Sequence, residues 1–535
     1  MELSEATKKL ISQYNFAKKS GLQKEGAATI NVDEVALSVA AFYEKVRTVV
    51  EWKEEHLMRR AAIIRKLKRR FFELELNNFP ENGEMAEGLV LELIRGGHFP
   101  NDKIEESKIK DVQNIISKYV FILKNNPENK NGKAGLNFYN WLLDVAACEI
   151  EDLLAPAIKE IALIEYMFWA MKEKIKISNK IYEKGLLKKS EKDIQIYIAV
   201  CHALFKLDKP IISYNLLKYK YPEWNKPSRQ LIADISRDIF VSWQEIEKNL
   251  LNPLSNKFYA VCERYDTPYL LLGDILFQNE NGEISDPKIL EGKIKDAYTK
   301  RAATLKTRIS RAAVYSTISI FATKILSLVI LEWIIDVVTR SSTNPAIFAA
   351  DVAIPTALMF LIVISIKKPS SKNLNTVVME TMKITYKTEK IDAYEIKLNR
   401  RKNVAMRMFL SLVYVFSSFI TFGAIIFALN YFNFPAISIF IDIIFIALIL
   451  FAGTAVAKRA QELTMEPEKE GFFGFLADIF FLPVQGLGKW LSNKWRRYNA
   501  IAAFFNALID MPFSAFVEFL EGWRYFIKER KEEIR

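Results

Sequence analysis

Four apolar runs, at roughly 313–336, 346–366, 408–429 and 436–457, constrain this chain more than any other feature. Each has about the 20 residues that a helix needs to cross a bilayer. A backbone in hydrocarbon must satisfy its own hydrogen bonds, so the runs predict four transmembrane helices arranged as two hairpins.

The segments between the runs predict an orientation. Arg301, Lys306, Arg308 and Arg311 precede the first run, and Lys458 and Arg459 follow the fourth. The stretch between the second and third, 367–407, is basic and includes Arg400, Arg401 and Lys402. The other two connections, "TRSSTNP" and "NYFNFP", carry a single arginine between them. Positive residues stay on the cytoplasmic side, which puts both termini and the long central stretch there. Tyr315 and Trp333, near opposite ends of the first run, suit the two interfaces.

Charges nevertheless sit inside the runs. In "ATKILSLVILEWIIDVV" (322–338), a rise of about 1.5 Å per residue places Lys324 roughly 15–20 Å beyond Arg311. That is close to the middle of an approximately 30 Å core. Glu332 lies two turns further out; Asp351 and Asp442 follow the outer Pro345 and Pro435 by six and seven residues. These three carboxylates therefore share a similar depth on three helices. An isolated charge there costs at least about 2.5–3.5 kcal/mol, so Lys324 is expected to pair with one of them. Asp336 and Arg340 are expected to pair at the outer interface. Ala349, Ala353 and Ala357 offer a small-residue face for close helix contact, and Pro355 frees a backbone carbonyl one turn from Asp351. Two readings of the cluster stay open: an ion or proton site lined by a broken helix, or a structural ion pair that fixes helix register.

The rest of the chain is of another kind. Half of the 535 residues are hydrophobic and 26% are charged, yet the mean hydropathy is only +0.04. A charged part must therefore offset the apolar one. Turn clusters divide it into a helical lobe at 1–135 and a second at 136–285, separated at "NNPENKNGKAG". A basic linker helix at 286–311 follows, opened by Asp286 and Pro287 as N-cap and N1. Then come a hairpin at 312–366, a basic cytoplasmic loop at 367–407, a second hairpin at 408–457 and a tail at 458–535. The fold class is mainly α: a helical cytoplasmic domain, a four-helix transmembrane region and an amphipathic helical tail.

In the first lobe, Asn31 with Glu34 forms a capping pattern that opens a periodic run to about Leu76. Near its end, "RRAAIIRKLKRRFFELEL" places Leu57, Ala61, Ile64, Leu67 and Phe71 on one stripe. Arg59, Arg60, Arg65, Lys66, Arg69 and Arg70 fall largely elsewhere. That basic face is either solvated or bound to anionic lipid or RNA. In the second lobe, "LFKLDKPIISYNLLKYKYPEWNKPSRQLIADISRDIF" is a helix–loop–helix whose Tyr214, Tyr221 and Trp224 suit a core better than DNA recognition. Prolines and acids interrupt the tail, and Arg496 and Arg497 flank its aromatics. It reads as a helical hairpin lying on the cytoplasmic leaflet, with two further spans as the alternative.

No cleavable signal is predicted at the N-terminus. Cys148, Cys201 and Cys262 are too dispersed for a disulfide framework, and His56, His98 and His202 form no metal-ligand spacing. No phosphate-binding, dinucleotide-binding, zinc-protease or hydrolase motif occurs, so no catalytic residue and no cofactor is implied. The net charge of +12 is concentrated beside the apolar runs. It points to a bilayer with anionic phospholipids and away from nucleic acid. The pattern suggests a membrane-anchored scaffold or assembly factor with cytoplasmic protein partners. The alternative is an oligomeric ion- or proton-coupled transporter or channel using Lys324, Glu332, Asp351 and Asp442.

Overall fold

The computed structural model describes residues 2–20, 28–32, 55–73, 84–126, 132–278, 284, 286–327, 345–364, 371–386, 393–398, 404–465 and 471–498, with six isolated positions between 519 and 530. Those residues are mainly helical and divide into two compact units. One comprises Glu5–Glu263, Asp392–Ile396 and Ala500–Arg535; the other comprises Met1–Ser4, Arg264–Ile391 and Lys397–Asn499.

In the first unit, α1 (Glu5–Ser20), α2 (Glu55–Glu73), α3 (Glu84–Arg95) and α4 (Ser107–Asn125) lead to α5 (Lys133–Leu154) and α6 (Ile158–Lys174). After β1 (Ile175–Ile177) come α7 (Asn179–Glu183), α8 (Glu191–Phe205), α9 (Lys209–Lys220), α10 (Arg229–Leu250) and α11 (Ser255–Arg264). The second unit holds α12 (Asp266–Gln278), α13 (Pro287–Ser327), α14 (Pro345–Ile364) and α15 (Ser371–Thr385). β2 (Tyr394–Ile396) belongs with the first unit, where it pairs in parallel with β1, Ile175 opposite Tyr394 and Ile177 opposite Ile396. The second unit ends with α16 (Val404–Tyr431), α17 (Ala436–Ala460) and α18 (Phe472–Tyr498).

α5 is the axis of the first unit, packed against α2, α4 and α9. Phe138 and Trp141 on α5 meet Phe240 and Trp243 on α10, with ring centroids 5.3 to 6.4 Å apart across the helices. Around Glu149 the core is polar and closed. Its carboxylate lies 2.5 Å from Lys118 Nζ and accepts from Tyr119 Oη at 2.8 Å and Trp224 Nε1 at 3.0 Å. Trp224 and Tyr214 are buried, as the aromatic pattern predicts, while Tyr221 is half-buried.

The basic helix behaves differently from either reading of its sequence. Arg60 is buried against Asp208, Arg59 lies 3.2 Å from Glu151, and Lys66 and Arg69 share Glu92 at 2.9 and 3.1 Å. Four of the six basic residues are therefore consumed inside the unit. The helix is turned from the expected stripe: Arg60, Ala62, Ile63 and Leu67 are buried, whereas Ala61 and Ile64 are half-buried. Asp208 stands in extended backbone before α9 without a side-chain capping bond, its carboxylate being taken by Arg60. The side chains of Leu57, Arg70 and Phe71, and the run 33–54, lie outside the described residues.

In the second unit, α13 begins where Asp286 and Pro287 predict: Asp286 Oδ1 accepts from the Lys288 amide at 2.9 Å. Its Leu290, Ile294 and Tyr298 pack with α12 and α15. The 367–407 stretch, expected to be a loop, contains the 15-residue helix α15. Its buried row is Asn373, Val377, Thr381 and Thr385, so it lacks the apolar periodicity that announces a helix. The two threonine hydroxyls donate to carbonyls one turn back, and Asn373 bonds Tyr298, Leu463 and Met465.

The expectation of four spans is corrected. Among the described residues two helices are long and apolar enough to cross a membrane, Val404–Tyr431 and Ala436–Lys458. The first run is described only to Ser327, and in α14 side chains are described over Ala349–Ile362, a stretch that contains Asp351 and Pro355. In the tail, residues 472–498 form one helix through Pro483, and the second arm of the expected hairpin lies outside the described residues. This α18 packs on α16 and α17: Thr421 Oγ1 donates to the Phe480 carbonyl at 2.9 Å. Gly488 lies so near Ala447, midway along α17, that a Cβ there would be 2.0 Å from its carbonyl oxygen.

Candidate functional site

Lys324, Asp351 and Asp442 come together, one each from α13, α14 and α17. Lys324 Nζ is 2.8 Å from Asp351 Oδ2 and 3.1 Å from Asp442 Oδ1. All three side chains are enclosed, at 0%, 2% and 1% exposure. The sequence leads one to expect a single carboxylate opposite the lysine; there are two. Depth along the helices does not rule out either partner, because a lysine side chain reaches several residues of helical rise beyond its own Cα.

Each helix presents its charge for a local reason. On α14 the buried row is Asp351, Pro355 and Met359, spaced at one turn. Ala349, Ala353 and Ala357 are exposed, so the expected alanine contact face is corrected. Close approach instead comes from α17, where a Cβ on Gly453 would lie 2.5 Å from Ile362 of α14. One turn from Asp442, Phe445 sets its ring centroid 5.3 Å from Lys324 Nζ, a cation–π contact. Ala350 and Ile443, the chain neighbours of the two aspartates, pack with Ile354 and Ile425 on Leu429, Phe434 and Ile439. That apolar layer adjoins the charges and limits water there.

The hydrogen bonding is incomplete. The lysine ammonium serves Asp351 Oδ2 and Asp442 Oδ1, while the buried Asp351 Oδ1 and Asp442 Oδ2 have no hydrogen-bond donor. The two carboxyl groups are within hydrogen-bonding reach of each other. Two acceptor oxygens, one on each aspartate, are left without a donor. Glu332, Asp336 and Arg340 lie outside the described residues, as do Trp333, Arg400, Arg401 and Lys402. Arg308 and Arg311 are exposed on α13. Arg496 and Arg497 fall in the last turns of α18, with side chains outside the description, as is that of Tyr315 on α13.

The first unit offers other buried polar groups without catalytic character. All three cysteines are buried and unbridged. Burial pushes the Cys201 thiol up to about 12 and the Cys148 thiol also well up, the opposite of an activated nucleophile. Burial lowers His202. Glu149 holds Lys118, Tyr119 and Trp224 in a satisfied network, which suits a rigid core. Among the described residues no group of three or more His, Cys, Asp or Glu could hold a metal ion.

Phe445, Gly453 and Gly488 are the contributors that charge and hydropathy patterns miss. The available signal is glycine inside an apolar or amphipathic helix, which marks a place where another backbone comes close. No family model, no curated protein and no solved structure matches the chain.

Proposed function

We propose that the protein is a multi-pass membrane scaffold or assembly factor, with its termini in the cytoplasm and its N-terminal helical unit offered to protein partners. The observation that carries this reading is α13. It is one unbroken helix of 41 residues, about 60 Å long at 1.5 Å per residue. Its early turns pack with α12 and α15, and near its end Lys324 enters the enclosed triad. Such a strut ties the packing of α12 and α15 to the apolar helices of the same unit. A triad that joins three helices and excludes solvent fits a fixed support. Exposed Lys306, Arg308 and Arg311 on the same helix support a position beside anionic headgroups.

The test is deletion of Glu5–Glu263 in cells that depend on the protein. Partner co-purification and function should be lost while the remainder still reaches the membrane. If the remainder alone restores function, the scaffold reading fails. A second reading, an oligomeric ion- or proton-coupled transporter, is favoured by the two carboxylates set against one ammonium. It predicts that Asp351→Asn or Asp442→Asn abolishes flux in proteoliposomes at unchanged expression.

A further inference from the structure

We propose that Asp351 and Asp442 hold one proton between them, so that the triad with Lys324 is a neutral, singly protonated site. The inference stands on the buried triad and does not depend on which partners the N-terminal unit meets. Three observations combine. Two carboxylates face one ammonium, so full ionisation leaves one uncompensated negative charge in an enclosed place. Lys324 Nζ serves one oxygen of each carboxyl group, the carboxyl groups are within hydrogen-bonding reach of each other, and the remaining Asp351 Oδ1 and Asp442 Oδ2 are buried with no donor. Neighbouring carboxylates in contact do not both ionise readily, and a buried charge without a counter-charge is expensive. One proton answers each point. It cancels the surplus charge, supplies the missing donor and turns carboxylate repulsion into a hydrogen bond.

The charged groups facing this point from the packed helices are, among the described residues, the three members themselves. Arg407 on α16, Lys458 on α17, and Asp478, Lys489 and Lys494 on α18 are exposed. The proton belongs to the pair rather than to either aspartate.

Infrared spectroscopy of the full-length protein in lipid nanodiscs tests the assignment by counting. The readout is the carboxylic-acid C=O band that shifts on exchange into D2O. Near pH 7 Asp144, which burial raises only to about 6, is largely ionised, and loss of the band in the Asp351 or Asp442 variant separates the pair from other carboxyls such as Glu151, which burial also raises. Wild type should show one buried acid. Asp351→Asn and Asp442→Asn should each show none, because a single carboxylate with Lys324 is balanced and needs no proton. Lys324→Met should show two. Both asparagine variants keep the shape and pair the charge, so thermal melting near wild type should accompany loss of the band. Either one suffices if the other fails to fold. No band in the wild type, or a band of undiminished intensity in a folded asparagine variant, overturns the proposal. So does a melting temperature that rises in sodium but not in choline chloride without an acid band, which would mark a cation in the proton's place.

Discussion

Replacing Glu149 with glutamine isolates the value of a charge inside the N-terminal unit. The substitution keeps the side chain's shape and one carbonyl oxygen for the Tyr119 hydroxyl and the Trp224 indole. It removes the counter-ion of Lys118, which is then left with the Trp224 carbonyl at 2.8 Å as its described acceptor. Both side chains of the pair are at most 5% exposed. Breaking a buried pair by removing one partner costs about 3–5 kcal/mol, because the surviving charge is left without compensation. Discarding that charge too should return most of the loss, so Lys118→Met with Glu149→Gln is expected to be more stable than Glu149→Gln alone.

The pH dependence gives a second handle. Burial lowers Lys118 below its ordinary 10.5, with Glu149 opposing the shift. Between the lowered folded value and 10.5 the unfolded chain binds more protons, so raising the pH stabilises the folded state. Without Glu149 the opposition is gone and that window extends to lower pH. The Glu149→Gln deficit should therefore be largest near neutrality and shrink towards about pH 10. Hydrogen exchange of α4 and α5 peptides, followed through a urea series on the full chain, reads both effects. A loss below about 0.5 kcal/mol, a loss that ignores pH, or a double variant no better than the single would refute the reasoning.

Three further outcomes are expected. Gly488→Ala forces α17 and α18 apart against the Ala447 carbonyl, at about 1–3 kcal/mol. Gly474→Ala, with open space around it, is the silent control; thermal melting in detergent distinguishes them. Asp144→Asn should stabilise the first unit by about 1–2 kcal/mol near pH 7, after discounting for partial exposure. Burial holds that carboxyl at about 6 against 3.8, so the folded state binds more protons in that interval. Stability is then lost as pH rises through it, and urea midpoints for wild type and variant should converge near pH 4. Arg60→Met should lower the unfolding free energy by about 1–3 kcal/mol through the loss of the Asp208 pair. Flotation with anionic vesicles should not change, because the wild-type guanidinium is already enclosed.

Much of the architecture was legible because apolar length and turn chemistry are local properties. The helical class, the start of α13 at Asp286–Pro287 and the buried Trp224 follow from such signals. So does the meeting of Lys324 with an aspartate of another apolar run, since charges placed in apolar runs have few partners available. The failures have a common physical origin in packing between segments distant in sequence. Ala349, Ala353 and Ala357 look like a contact face, but Asp351 decides the helix's rotation: a charge must turn inward, and the alanines then turn out. α15 escapes detection because asparagine and threonine stand with valine in its buried row, made tolerable by hydrogen bonds to Tyr298 and its own carbonyls. Gly488 carries no sequence signal that names its neighbour, and only the packed structure sets it against Ala447.

The same logic revises what the net charge of +12 means. A basic stripe on a helix attracts an anionic partner only if its charges are free. On α2 the carboxylates of Glu92, Glu151 and Asp208 already occupy four of them, so the case for lipid or RNA binding there dissolves. On α13 the situation is reversed: Lys306, Arg308 and Arg311 are exposed and stand within 18 residues of Lys324. A surface charge near a low-dielectric region keeps its long-range pull on phosphate, whereas an internally paired one does not. The electrostatic attachment we propose therefore lies at the junction of the strut and the apolar bundle. Reversing the α13 charges should weaken membrane association, whereas neutralising those of α2 should unfold the unit that contains them.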